Sequence, residues 1–382
     1  MVTPVVVPQT LVQCALFPEC GGCQTLDLAY ALQLKQKQKR LKDLLEPWKQ
    51  ILAPIVPSPS IEAYRNKVLF PVTPRSPLKM GMFKSGTHKV VPATHCPVTY
   101  PQIMQLGKKV LKVLNKHRIP GYNEHNYKGV LRYILLRFCP QTQQSLLVLI
   151  TRSPIHSEAV FEHLWEVLQP LGLVSLFSNI NTQRHNVILA AQSTLVKGQA
   201  YYQARLLGRT FLVGSQSFYQ TNTGQAEVIY QQIAQTAEGH PGLIWDLYCG
   251  LGTIAQTIST SSPVLGVEST PEAVELGREA VKMNGLSQVT LLNEDVDQFL
   301  EKPQARPQLV VVNPPRTGLS ASLIGALKRL KPPALLYLSC NPKSFKKNIE
   351  DLSEVYALKY IKPYDMFPHT DHIELLGYLR RK

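Results

Sequence analysis

LIWDLYCGLGT, residues 243–253, decides the reading of the fold. An apolar, strand-like run, LIWDLY (243–248), meets two glycines one residue apart, Gly250 and Gly252. A helical pattern over 253–260 follows. The same grammar repeats downstream. VLGVE (264–268) precedes a helix over 271–284, and VTLLNED (289–295) precedes another helical segment. QLVVVNPP (308–315) precedes a helix over 320–330, and ALLYLSC (334–340) precedes one over 343–351. A helix over 222–237 leads into the series. Strand and helix alternating through short loops predict an α/β fold, a doubly wound, mostly parallel sheet covered on both faces.

In such a sheet, ligands bind in the crevice at the carboxyl ends of the strands. Gly250 and Gly252 let the backbone turn tightly and approach a ligand. Glu268, at the end of the next strand, is placed to accept hydrogen bonds from both hydroxyls of a ribose. Asp295 ends the third strand, placed to meet an adenine edge, and Asn313-Pro314-Pro315-Arg316 ends the fourth. Any one of these acids is commonly a helix N-cap or a surface charge, but polar residues at four successive strand ends point to a site. The dinucleotide fingerprint G-x-G-x-x-G is absent, because position 255 is Ala. S-adenosylmethionine therefore fits better than NAD.

Cys340 follows the strand ALLYLS and precedes Asn341-Pro342, again at a strand end facing the crevice. A thiolate there can add to an electron-poor carbon. Near the end of the chain, FPHTDHIE (367–374) places Glu374 at the mouth of the apolar run LLGYL, where a carboxylate is poised as a general base.

The half before residue 216 is more irregular. AYALQLKQKQKRLKDLLE (29–46) reads as a helix with Leu34, Leu41 and Leu45 on one face. Lys35, Lys37, Lys39, Arg40 and Lys42 crowd its other faces, either as a solvated surface or as an RNA contact. Short antiparallel strands are expected over 54–100, helices over 101–117 and 156–170, and a hairpin over 130–151. Further strands are expected near 173–179, 186–191 and 209–213. This half reads as a mixed α+β domain, with no internal repeat. The chain is accordingly divided into a domain over 1–215, whose helix near 29–46 packs on its neighbour, and a catalytic domain over 216–382.

Four of the seven cysteines stand in this first half as Cys14-x5-Cys20-x2-Cys23 and a single Cys96. An odd number without a secretory signal argues for metal binding or catalysis over a disulfide framework. Four thiolates suit zinc or an iron–sulfur cluster, and spacing does not choose between them. The chain carries 41 Lys and Arg against 26 Asp and Glu, a formal charge of +15 that points to a polyanionic partner. No apolar stretch reaches the ~20 residues of a membrane span, and residues 1–12 lack the features of a signal peptide. The expected location is the cytoplasm, with no membrane partner.

DLYCGLGT, VNPPRTG, YLSCNP and FPHTDHIE, in this order, together with GSQSFYQTN (214–222), resemble the RNA uracil-C5 methyltransferases over nearly the whole chain. The resemblance implies a covalent mechanism. Cys340 attacks C6 of a flipped-out uracil, C5 takes the methyl group of S-adenosylmethionine, and Glu374 removes the C5 proton. It further implies that Gln220, Tyr248, Glu268 and Asn313 hold the cofactor, and that Gly250, Gly252, Thr253 and Asp295 line its site. It implies a [4Fe-4S] cluster on Cys14, Cys20, Cys23 and Cys96.

Only thirteen residues precede Cys14, so the β-barrel domain carried by many members is expected to be missing. With Asn313 in place of the family's frequent Asp, the chain resembles the branch that methylates uridine 747 of 23S ribosomal RNA, a hairpin target, and also some members of other branches, so another 23S uridine or a tRNA uridine is the alternative target. Partners are then structured RNA and no DNA, bound by a monomer. Expected RNA contacts are Arg65, Lys67, Lys84, Lys89, Arg132, Arg137, Arg380, Arg381 and Lys382, with Tyr64, Phe83 and Phe218 as stacking rings. Three other readings compete. An amino-methyltransferase would want an aromatic residue where Arg316 stands. A non-catalytic iron–sulfur RNA-binding protein would be indifferent to loss of Cys340. A radical enzyme would want C-x3-C-x2-C.

Overall fold

The structure, a computed structural model, describes residues 11–183, 187–258, 262–302 and 305–382. The first half contains α1 (Tyr30–Leu44), β1 (Lys67–Pro71), the hairpin β2 (Gly81–Phe83) and β3 (Val90–Pro92), and α2 (Pro101–Lys116). Then come β4 (Leu131–Phe138), β5 (Ser145–Thr151), α3 (Glu158–Leu168), β6 (Leu173–Ile180), β7 (Thr194–Gly198), β8 (Tyr202–Leu206) and β9 (Arg209–Val213). Five strands form a sheet in the order β1-β4-β5-β6-β7, with only β5–β6 parallel. β4 and β5 are buried on both faces, which is why they read as continuous apolar runs. Ile134, Leu136, Leu147 and Leu149 face one way and share a core with Val110 of α2 and Leu164 of α3. Leu135, Leu146 and Val148 face the other way and join the β8–β9 hairpin in a core that continues into the second half.

The second half runs α4 (Thr223–Glu238), β10 (Ile244–Leu247), α5 (Thr253–Ile258), β11 (Val264–Glu268), α6 (Pro271–Met283) and β12 (Val289–Asn293). It continues with α7 (Val296–Glu301), β13 (Leu309–Val312), α8 (Ala321–Leu330), β14 (Ala334–Ser339), α9 (Pro342–Leu352), β15 (Tyr356–Tyr364) and β16 (Glu374–Arg381). Its sheet has the order β12-β11-β10-β13-β14-β16-β15, with β16 alone running antiparallel to its neighbours β14 and β15. Side chains alternate faces along a strand. Ile244, Leu309 and Leu336 therefore enter one core, and Trp245, Val310 and Leu335 enter the other. Strand order reverses between β10 and β13, which opens a crevice at their carboxyl ends.

Three elements depart from the sequence reading. The strand expected near 186–191 does not form over 187–191; position 186 and positions 259–260 of the expected helix lie outside the described residues, as do residues 1–10. The Asn181 side-chain amide donates to the carbonyls of Val187 (2.7 Å) and Ile188 (2.8 Å), and that of Asn179 donates to Ala190 (3.1 Å) and Gln192 (2.9 Å). These side chains take the place of a strand ladder. β7, β8 and β15 were not expected. β15 carries Lys359, Lys362 and Pro363, as suits an edge strand.

The third departure is Lys37. It is buried, not solvent-facing, and its Nζ lies 2.6 Å from Asp365 Oδ1 and 3.2 Å from the Phe367 carbonyl. The pair fastens α1, whose Leu41 also enters a core of the second half, to the segment after β15. Removing one partner of such a pair strands the other charge away from water, at a cost of about 3–5 kcal/mol. Lys37→Ala is expected to destabilise the fold by that order in urea titration. Lys37→Met paired with Asp365→Leu should recover most of the loss, because neither charge is then left buried.

Candidate active site

The loop after β10 builds the first part of the site. Tyr248, Gly250 and Gly252 all have positive φ (+62°, +56° and +69°), so the chain turns sharply out of the strand and into α5. A Cβ at Gly252 would stand 3.0 Å from Leu291, so that glycine also serves close packing. A Cβ at Gly250 would meet nothing within 4 Å, so the loop has open space on this side. Asp246 is buried at the end of β10, and its Oδ2 accepts from Ala255 N (2.9 Å) at the start of α5. Burial, chiefly, pushes its carboxyl up to about 7.

The strand registers align the next residues. Leu247 pairs with Val267 on one side and Val312 on the other. One step further, Glu268, Tyr248 and Asn313 stand in a row across three adjacent strand ends. Glu268 spans the gap to the loop: Oε2 accepts from Gly250 N (3.1 Å), and Oε1 accepts from Thr270 N (2.7 Å) and Ser269 Oγ (3.2 Å). Thr253 opens α5, and its hydroxyl lies 3.4 Å from the Tyr230 hydroxyl, which also bonds the Gln220 side chain. Asp295 has a local task. It caps α7, with Oδ1 accepting from Asp297 N (2.9 Å) and Gln298 N (3.3 Å).

Cys340 and Glu374 meet through the antiparallel pairing of β14 and β16. Ser339 pairs with Leu375, so one step further Cys340 stands opposite Glu374. Asn341 caps α9 through Lys343 N (3.1 Å), and its amide donates to the Arg316 carbonyl (2.9 Å), as does the Ser344 hydroxyl (3.3 Å). These bonds hold the Asn313–Arg316 turn beside Cys340. Burial pushes the Cys340 thiol up, the Glu374 carboxyl adds to this, and the Arg316 guanidinium, hydrogen-bonded to the thiol, pulls it back. Burial also pushes Glu374 up to about 8, against the pull of Arg316. Arg316 thus faces both groups. Sequence reading weighed it only as a missing aromatic, although its place two residues after a strand-end Asn-Pro pair was a usable signal.

The segment between Asp365 and Glu374 has little regular structure and is held by the first half. His369, at φ +66°, bonds through every polar group it has. Its N–H donates to Gln33 Oε1 (2.9 Å), and its carbonyl accepts from Gln24 N (2.8 Å) and Thr25 N (3.1 Å). Its Nε2 faces the Ile61 carbonyl (2.9 Å), so that nitrogen carries the proton, and Nδ1 accepts from Gln33 Nε2 (3.0 Å). The Tyr64 hydroxyl donates to the Pro368 carbonyl (2.9 Å), and Arg40 pairs with Asp371 (2.7 Å).

Cys14, Cys20, Cys23 and Cys96 line one small cavity of about 40 Å³ together with Arg65. Among the described residues, however, no three His, Cys, Asp or Glu are grouped closely enough to hold a metal ion. A single zinc ion would need its thiolates within roughly 4 Å of each other. A compact single-ion site is thus not formed by these cysteines. Several expected RNA contacts are corrected as well. Arg137 and Tyr64 are buried, Arg137 donating to the Ser217 carbonyl (2.6 Å), whereas Arg132, at 9% exposure, lines an open groove away from Cys340. Arg65 faces the cysteine cavity. Lys67 lies against Arg137, whose charge, followed by burial, pushes it down to about 7. Lys84, Lys89, Arg380, Arg381 and Lys382 are exposed, Phe83 is half-buried and Phe218 is 60% exposed.

A family profile described as tRNA (Uracil-5-)-methyltransferase matches residues 195–382. An uncharacterized RNA methyltransferase of Halalkalibacterium halodurans is 31% identical over 97% of this chain and 83% of its own length. Another from Enterococcus faecalis is 31% identical over 96% of this chain and 82% of its own. The chain belongs to the RNA uracil-5-methyltransferase family. The crystal structure of Pyrococcus abyssi tRNA (uracil-54, C5)-methyltransferase with S-adenosyl-L-homocysteine superposes with a TM-score of 0.77 at 27% identity, over 95% of this chain and 86% of that one. This member is accordingly an S-adenosylmethionine-dependent RNA methyltransferase with the α/β methyltransferase fold. Among the described residues, no helix is long and apolar enough to cross a membrane.

Glu374 gives the site a pH signature. Its carboxyl holds a proton in the folded state up to about 8, whereas in the unfolded chain it ionises near the ordinary value of 4.5. Its contribution to stability is therefore present below the unfolded value and is lost as pH rises through about 8. Thermal denaturation of the free protein from pH 5 to 9 should show this decline, and Glu374→Gln should flatten it. Parallel profiles for the two proteins would contradict the assignment.

Proposed function

We propose that this enzyme methylates C5 of a uridine in a structured RNA, with Cys340 as the nucleophile and Glu374 as the base. The observation that carries the reading is the opposition of Cys340 and Glu374 across β14 and β16, with Arg316 facing both. C5 of uracil is a weak nucleophile until a thiolate adds to C6. The Arg316 charge favours that thiolate in a half-buried pocket. S-adenosylmethionine, when bound, supplies the electrophilic methyl group. Once C5 is methylated, Glu374 takes the C5 proton and the C6–S bond breaks, freeing Cys340.

Gln220, Tyr248, Glu268 and Asn313 would hold the cofactor, with Gly250, Gly252, Thr253 and Asp295 lining its site. The row of strand-end side chains and the open space over Gly250 support this. The reading divides the chain into an RNA-binding part over 1–215 and a catalytic part over 216–382, acting as a monomer in the cytoplasm. The target we propose is a hairpin uridine of 23S ribosomal RNA, uridine 747 in the branch resembled. A tRNA uridine is the second reading, favoured by the Pyrococcus abyssi neighbour, which acts on tRNA.

We also propose a [4Fe-4S] cluster on Cys14, Cys20, Cys23 and Cys96. Four thiols around one cavity, with a cationic Arg65 beside them, are the donor set such a cluster takes. Cys14, Cys20, Cys23 and Cys96 would hold the cluster through their thiolates.

Labelled methyl transfer to unmodified 23S and tRNA transcripts tests the reaction. Wild type should label one uridine at C5, Cys340→Ala should label none, and Glu374→Gln should accumulate a covalent protein–RNA adduct. Turnover by Cys340→Ala would remove the nucleophile from the account. Protein purified without oxygen should carry about four irons per chain, and Cys23→Ser should lower that content. Iron-free protein would defeat the cluster assignment.

A further inference from the structure

The hairpin β2–β3 has two faces with different surroundings. Met82 lines the cysteine cavity, and its neighbour Phe83 lines a separate open groove on the opposite side. The groove holds about 780 Å³, within the range of roughly 300–1,000 Å³ typical of small-ligand sites. Its walls come from the hairpin, the 71–74 turn, the 122–125 loop and β4.

The groove is built from rings and cations. Phe83 stacks on His88, with centroids 5.2 Å apart and planes at 21°. The Arg132 guanidinium lies over the Tyr122 ring at 5.3 Å. Arg132 is only 9% exposed and donates from Nη1 to the carbonyls of Asn181 and Gln183, yet its Nε has no partner among the described residues. Lys89 stands exposed at the rim. Glu124 is the one acid on the walls, and it pairs with His88 at 2.6 Å. None of these residues belongs to the Cys340–Glu374 site.

We propose that this groove binds an unpaired nucleotide of the RNA substrate, outside the target base itself. Aromatic and imidazole faces stack nucleobases whatever their sequence. The unspent Arg132 N–H and the Lys89 ammonium suit an oxygen-rich ligand, a phosphate or a base carbonyl. The hydrogen-bonding oxygens of Glu124 suit the donor edge of a base. A purely apolar ligand would leave the Arg132 Nε–H unsatisfied. The groove is also joined to the cysteine-bearing segment, since Gly21 N donates to the Phe83 carbonyl (2.9 Å) and Cys20 bridges Lys84. The inference rests on RNA being the substrate.

The test compares RNA affinity and steady-state kinetics for wild type, His88→Ala and Phe83→Leu. The first variant removes an exposed ring, and the second keeps apolar bulk while deleting the stacking face. With the full-length RNA, each variant should bind roughly tenfold more weakly and show a KM raised to match, as expected for loss of one stacked base. The kcat and the KM for S-adenosylmethionine should be unchanged. Variants that bind the full-length RNA as tightly as wild type would overturn the proposal. Product analysis of the same wild-type reactions keeps the two readings apart: C5-methylation with groove variants of unaltered affinity removes the groove alone. Weakened binding by the variants, with no C5-methyluridine formed by wild type, removes the reaction and leaves the groove standing.

Discussion

The buried ion pair between Lys37 and Asp365 is the constraint on which the site depends. The strand β16 begins with Glu374, and the nine residues before it have almost no backbone ladder of their own. Their conformation is imposed from outside, by Lys37 at one end and by the hydrogen bonds around His369 in the middle. A charge pair in a dry core is unforgiving of displacement, because each partner carries a large desolvation cost that only the other offsets. Such a pair fixes α1 against this segment in one register. The carboxylate that must face Cys340 is thus aimed by a helix more than three hundred residues away in sequence. Gln24 and Thr25, directly after Cys23, extend that control to the cysteine-lined cavity.

The electrostatics of the pocket follow from the same enclosure. Two groups that must change charge, Cys340 and Glu374, lie near each other where burial favours their neutral forms. Arg316 is the counterweight, and its backbone is tied to the Cys340 turn by Asn341 and Ser344. The guanidinium can therefore favour the thiolate early in a catalytic cycle and the carboxylate late in it. Burial thus favours the neutral form of each group, and Arg316 offsets it towards the thiolate that adds to C6 and the carboxylate that accepts the C5 proton.

The doubly wound sheet was legible from residue 243 onward because its central strands β10, β13 and β14 are buried on both faces and each parallel strand runs into a polar or glycine-bearing turn. β16 was visible only as an apolar run, and β15, with its lysines and proline, hardly at all. Their antiparallel pairing is what brings residue 374 opposite residue 340, so the motifs named both residues without showing that they meet. Lys37 illustrates a deeper limit. Its neighbours Lys35, Lys39 and Lys42 are exposed, and no local pattern separates it from them. Its burial is decided by Asp365, which lies far away in sequence. The expected strand near 186–191 failed for a similar reason: Asn179 and Asn181 capture its carbonyls, a competition that apolar patterning does not register.

The account stands on a covalent bond between Cys340 and the target base, and RNA carrying 5-fluorouridine at the target position probes it most directly. Fluorine at C5 cannot leave as a proton, so the step assigned to Glu374 is blocked after methyl transfer. Mass spectrometry of the digested complex should then find the methylated fluoronucleotide on the peptide containing Cys340, at one per chain. An unmodified Cys340 peptide, or the nucleotide on Cys249 instead, would contradict the mechanism.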